Sequence, residues 1–152
     1  METIQRIPRL FTFFILFSLM LTINGCSSDD KSCSTFLECQ DGTIWEGQID
    51  LFMYIKVNNN QNNPVEIYLP EGDCYYYTSI SETNFVIMEN SKSTLKIKQM
   101  NDFDDSFEVL TFSILNEVLS IREVYTENGV EDIDTGTFAK STKNLSSVTI
   151  CN

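Results

Sequence analysis

The stretch Ile49-Asp-Leu-Phe-Met-Tyr-Ile-Lys-Val57, followed by Asn58-Asn-Asn-Gln-Asn-Asn-Pro64 and then Val65-Glu-Ile-Tyr-Leu69, decides the fold class. Ile49, Leu51, Met53, Ile55 and Val57 recur at every second position, with Asp50 and Lys56 between them. A strand sends successive side chains to opposite faces, so this period of two puts the apolar set on one face of a sheet. An amphipathic helix would instead repeat every three or four residues. The asparagine-rich segment ending in proline is a turn, because Asn tolerates left-handed backbone and Pro fixes φ. The whole therefore reads as two antiparallel strands.

The same grammar continues downstream. Glu71-Gly-Asp73 is a turn before a strand over 74–80, and Ser81-Glu-Thr-Asn84 precedes apolar residues 85–88. Residues 95–99 alternate cleanly, Asn101-Asp-Phe-Asp-Asp105 separates them from 107–115, and Asn116-Glu117 breaks the chain before 118–125. Glu127-Asn-Gly129 precedes a last pair, 133–139 and 148–151. From Thr43 onward this predicts an all-β fold, an antiparallel up-and-down meander of about eight strands plus a terminal one. No helix and no internal repeat is expected. Composition agrees, with 11 Phe and 6 Tyr, many β-branched residues, and Ala139 as the only alanine. A meander of this length hides its edges by curling into a barrel or a partly open barrel.

Charge narrows the function. The formal net charge is −12 and the isoelectric point about 4.2. Nothing in such a chain neutralises a phosphate backbone, so no nucleic-acid partner is expected. The same charge is repelled by an anionic membrane surface. There is no histidine, hence no Ser–His or Cys–His pair and no histidine metal site. Residues 101–105 concentrate carboxylates, but they lack the glycine and the closing glutamate of a calcium loop and read as a solvated turn. Paired carboxylates for glycoside hydrolysis are not singled out among so many acids. The expectation is a protein that is not an enzyme and uses no metal or cofactor.

Attachment to a membrane then falls to the N-terminus. Arg6 and Arg9 precede an apolar run over 10–23. That run is about 14 residues long, against the ~20 a spanning helix needs, and is the layout of a secretory signal peptide. Ile23-Asn24-Gly25-Cys26 follows and resembles the lipobox of bacterial lipoproteins. The resemblance implies cleavage between Gly25 and Cys26 and lipidation of the Cys26 thiol. It divides the chain into a leader (1–25), a flexible tether (26–32) and one domain (33–152). Cys26-Ser-Ser-Asp-Asp30 is also similar to the start of many outer-membrane lipoproteins of Bacteroidota, which implies an outer-membrane address and display on the cell surface. Removing Glu2, Arg6 and Arg9 with the leader takes the net charge from −12 to −13.

Four cysteines remain, Cys33, Cys39, Cys74 and Cys151, and in an exported chain they imply two disulfides among three pairings. Sequence does not choose among them; the pairing favoured here is Cys74–Cys151 with Cys33–Cys39. A zinc site fits poorly, since there is no CxxC and no histidine.

Asp41-Gly-Thr-Ile-Trp45, the Asn58–Pro64 turn and the terminal Thr149-Ile-Cys-Asn152 together resemble small lipocalin-like lipoproteins of Bacteroidota. That resemblance implies an up-and-down barrel in which Trp45 is a structural plug at the closed end. It carries no settled activity. Tyr75, Tyr76 and Tyr77 place aromatics on both faces of one strand, so one face should be outside or at a mouth. The functional expectation is a lipid-anchored protein whose domain binds a small apolar ligand. The alternative is a ligand-free protein-interaction or structural module of the envelope.

Overall fold

Short strands pair with their sequence neighbours across turns of two to seven residues at every step but one, and this rule builds most of the sheet. The computed structural model describes residues 32–80, 85–101 and 106–151. Gly25, Cys26, the tether through Lys31 and residues 102–105 of the acidic turn lie outside the described residues. In chain order come α1 (Phe36–Gln40), β1 (Ile44–Gln48), β2 (Phe52–Val57), β3 (Val65–Glu71), β4 (Cys74–Ser79), β5 (Phe85–Asn90), β6 (Thr94–Met100), β7 (Phe107–Leu115), β8 (Val118–Glu127) and β9 (Val130–Lys140). The nine strands form one antiparallel sheet in the order β4-β3-β2-β1-β9-β8-β7-β6-β5, curled into a half-barrel. The first and last strands pair with each other, so the unpaired edges fall in mid-chain, at β4 and β5. The expected all-β, partly open meander is the fold observed.

The β1–β9 seam depends on two glycines. Gly47 pairs with Phe138, and a Cβ on Gly47 would fall onto the Thr137 carbonyl and lie 2.7 Å from the Phe138 ring. A Cβ on Gly136 would meet the Gln48 carbonyl and lie 2.8 Å from Ile49 Cγ1. Only a residue without a side chain permits this approach.

Register sorts the side chains by face. Trp45 lies opposite Ile55, Ile55 opposite Ile67, and Val57 opposite Val65 on one half. Ile87, Ile97 and Leu110 line up on the other, as do Leu95, Phe112 and Ile121. These inward residues, apart from the partly buried Ile67 and Ile87 that pack against them, form the buried core with Phe36 and Leu37 from α1.

Three local expectations are corrected. A short helix is present: Thr35 accepts from the Glu38 N–H at 3.3 Å, and Glu38 Oε2 accepts from the Thr35 N–H at 3.3 Å. This capping box satisfies donors that a helix start leaves bare. The apolar alternation of 49–57 is not one strand, since residues 49–51 form the turn between β1 and β2 and leave Leu51 exposed. Segment 148–151 makes only a bridge: Tyr75 N–H donates to the Thr149 carbonyl at 2.9 Å, and Cys151 N–H to the Tyr75 carbonyl at 3.0 Å. That parallel contact covers the start of the β4 edge.

The disulfides join Cys33 to Cys39 and Cys74 to Cys151, each with Cα atoms 5.1 Å apart. The first clamps α1 to its own entry segment. The second ties the chain terminus to β4.

Two of the three two-residue hairpins have both central residues at positive φ, Asn116 (51°) with Glu117 (63°), and Asn128 (51°) with Gly129 (78°). Such turns match the twist of the strands they join but strain a residue bearing a Cβ. Glu117→Gly should therefore raise stability by about 0.5–1 kcal/mol, read as a higher urea midpoint at unchanged slope.

Candidate functional site

The interior of the half-barrel is filled at one end and polar at the other. Phe36 and Leu37 dock α1 against the core, with the Phe36 and Phe112 rings 6.5 Å apart. Leu37 N–H donates to Asn90 Oδ1 at 3.3 Å, fixing the helix to the end of β5. Trp45 is fully buried within the same cluster, and Lys140, its partner in register, holds its ammonium 5.8 Å from the indole ring.

Along the unpaired edges the inner face is less covered. Ile67 on β3 and Phe85 and Ile87 on β5 are packed against the core but only partly buried. Tyr76 has the inward register of Leu69 and remains 53% exposed. Tyr75 and Tyr77 take the outer face, so the three tyrosines divide as their alternation requires. The opening between β4 and β5 is thus bordered by apolar and aromatic side chains.

The far end of the inner face carries acids. Gln99 lies opposite Glu108, Glu123 opposite Asp134, and Tyr125 opposite Asp132. Burial and the neighbouring Glu123 carboxylate push Glu108 up to about 7. Burial, then Asp134, Asp50 and Asp132, raise Glu123 as well. A carboxyl whose pKa is raised by folding is protonated in the folded state while the unfolded chain is already ionised. Stability contributed by neutral Glu108 is therefore lost as pH climbs from 4.5 through about 7. After allowance for its partial exposure the loss is about 1–2 kcal/mol, a Tm lower by roughly 5 °C at pH 8 than at pH 5. Glu108→Gln should remove most of that slope in a thermal melt series. An unchanged slope in the variant would contradict the assignment.

On the outer face β2, β3 and β4 present a run of aromatics. Phe52 and Tyr54 meet edge to face at 5.2 Å, Tyr68 and Tyr77 at 5.1 Å, and Tyr54 approaches Tyr75 at 6.1 Å. Glu66 organises the ground beneath them. Its carboxylate accepts from Tyr68 Oη at 2.8 Å, Lys56 Nζ at 3.1 Å and Asn58 Nδ2 at 3.0 Å. Burial works to raise the Glu66 pKa, but these three donors outweigh it and the net shift is downward. Tyr68 is raised by burial and by the same bond to Glu66.

Among the described residues no group of three or more His, Cys, Asp or Glu side chains is arranged to hold a metal ion. No helix among them is long and apolar enough to cross a membrane. The sequence-predicted cysteines are all paired, Trp45 is in the core, and Gly25 and Cys26 lie outside the described residues. The acid rim and the edge opening went unread in the sequence, because each joins residues from strands far apart in the chain. The chain matches no family model, no curated protein and no solved structure.

Proposed function

We propose that this chain is a membrane-anchored lipoprotein, lipidated on Cys26 at the outer membrane, whose lipocalin-like domain binds a small apolar ligand at the opening between β4 and β5. The observation that carries the reading is the set of half-covered side chains Ile67, Tyr76, Phe85 and Ile87 on the inner face beside the two unpaired edges. Covering such surface stabilises a complex by about 25 cal/mol per Å² of apolar area removed from water. Protein purified from membranes and incubated with a total lipid extract should carry a stoichiometric apolar adduct in native mass spectrometry. Phe85→Ser should weaken that adduct, and its absence from the unaltered protein would end the proposal.

The anchor is tested separately. Cys26→Ser should leave an unlipidated precursor and move the protein out of the membrane fraction; an undiminished membrane fraction would refute lipidation at this position.

The outer aromatic run favours a second reading, a protein-interaction module of the envelope. Phe52 is 45% and Tyr77 44% exposed beside one another's neighbours on β2 and β4, and aromatics are the side chains that anchor interfaces. Crosslinking from position 77 in intact cells would recover a discrete partner on this reading and none on the first.

A further inference from the structure

Along the middle of β7, β8 and β9, away from the strand ends that carry Glu131 and Lys140, charges of opposite sign fall on opposite faces. Their inner face carries Glu108, Glu123 and Asp134, while Arg122, one residue before Glu123, points the opposite way. On that outer face two rows run across the sheet. Thr111, Arg122 and Thr135 are partners in one, Ser113, Ser120 and Thr137 in the next, and Gln48 of β1 extends the second. These residues line a groove of about 520 Å³.

Its chemistry is unlike the rest of the molecule. No Asp or Glu lines the groove, although the sequence holds 22 acids against 10 bases. Arg122 is the only arginine after Arg9. Among the described residues Arg122 makes no ion pair. A guanidinium presents a planar fork of donors that matches a carboxylate or sulfate with two parallel bonds. Around it five hydroxyl side chains each offer one donor and two acceptor sites, the complement of a ligand that is itself hydroxylated. The groove has the volume of a small-molecule site.

We propose that this groove binds a singly charged acidic saccharide, its carboxylate or sulfate on Arg122 and its hydroxyls on the flanking Thr and Ser side chains. Net charge selects the size of the anion. A field set by −12 repels polyanions at long range, so a single acidic sugar unit is accepted where a highly charged chain is not. The site lies on the outer face of β7–β9 and is independent of the apolar opening between β4 and β5.

The test is a ligand-observed NMR titration of the full-length lipoprotein in neutral detergent micelles, with glucuronate, glucose 6-sulfate, glucose and acetate as probes. Glucuronate or glucose 6-sulfate should bind saturably with a dissociation constant on the order of 1 mM, and glucose about tenfold more weakly. Which acid binds identifies the oxyanion. Arg122→Gln should abolish the preference for acid over glucose, and Arg122→Lys, which keeps charge but loses the fork, should lose about as much. Arg122 is exposed, so circular dichroism of both variants should be unchanged. Absence of saturable binding by either acid would overturn the proposal. So would acetate binding as tightly as the sugar acids, which marks an adventitious ion only, or an acid preference that survives in Arg122→Gln.

Discussion

Trp45→Ala should lower the unfolding free energy by about 3–5 kcal/mol, a large share of what a domain of this size holds. Trp45 is fully buried and sits in register with Ile55 on one side and Lys140 on the other, at the seam where the first strand meets the last. Removing the indole leaves a void where two halves of the sheet join, and the facing side chains belong to strands too constrained to collapse into it. Trp45→Phe separates packing from polarity. The indole N–H has no hydrogen-bond partner among the described residues. Phenylalanine therefore gives up ring volume but also relieves a buried, unsatisfied donor, and its cost should be only about 1–2 kcal/mol. Urea titrations followed by circular dichroism would read both, since the variants lack tryptophan fluorescence. If alanine cost no more than phenylalanine, the seam would not depend on this side chain.

The second large effect concerns the terminus. Replacing Cys74 and Cys151 together by alanine should cost about 4 kcal/mol, whereas replacing Cys33 and Cys39 should cost about 2 kcal/mol. The difference follows from the loops closed, 77 residues against 6. Chain entropy removed from the unfolded state grows with the logarithm of that length. The longer bridge also holds Ile150 beside Tyr75, so its loss bares the backbone groups at the start of the β4 edge. An exposed edge is a template for pairing with other chains. Aggregation at midpoint denaturant should rise in the Cys74/Cys151 variant and not in the Cys33/Cys39 variant, as light scattering would show. Equal destabilisation of the two would mean that native strain, rather than loop entropy, sets the cost.

The β7–β9 meander illustrates what was legible beforehand. Its strands alternate, its turns Asn116-Glu117 and Asn128-Gly129 are written in residues that tolerate positive φ, and its neighbours in sequence are neighbours in the sheet. Every interaction there lies within reach of a hairpin. The helix was missed: its one local signal is the capping box Thr35-x-x-Glu38, and five residues are too few to show a helical period against the strand pattern around them. The turn at 49–51 misled for a related reason. Ile49 and Leu51 continue the alternation of Met53, Ile55 and Val57, and hydrophobic period alone does not mark where a chain reverses.

By itself, then, the sequence determined the strand class, the turn positions other than that at 49–51, the absence of histidine chemistry and the acidic charge, because each of these depends on a residue and its near neighbours. The tertiary structure alone decided that β1 pairs with β9 while β4 and β5 are left as unpaired edges, which cysteines meet, and which face of β8 carries Arg122 among hydroxyls while Glu123 joins the acids. Those outcomes turn on register and curvature. A shift of one residue exchanges the two faces of a strand, and contacts that hold the register can lie 95 residues or more away, as between Glu46 and Ser141.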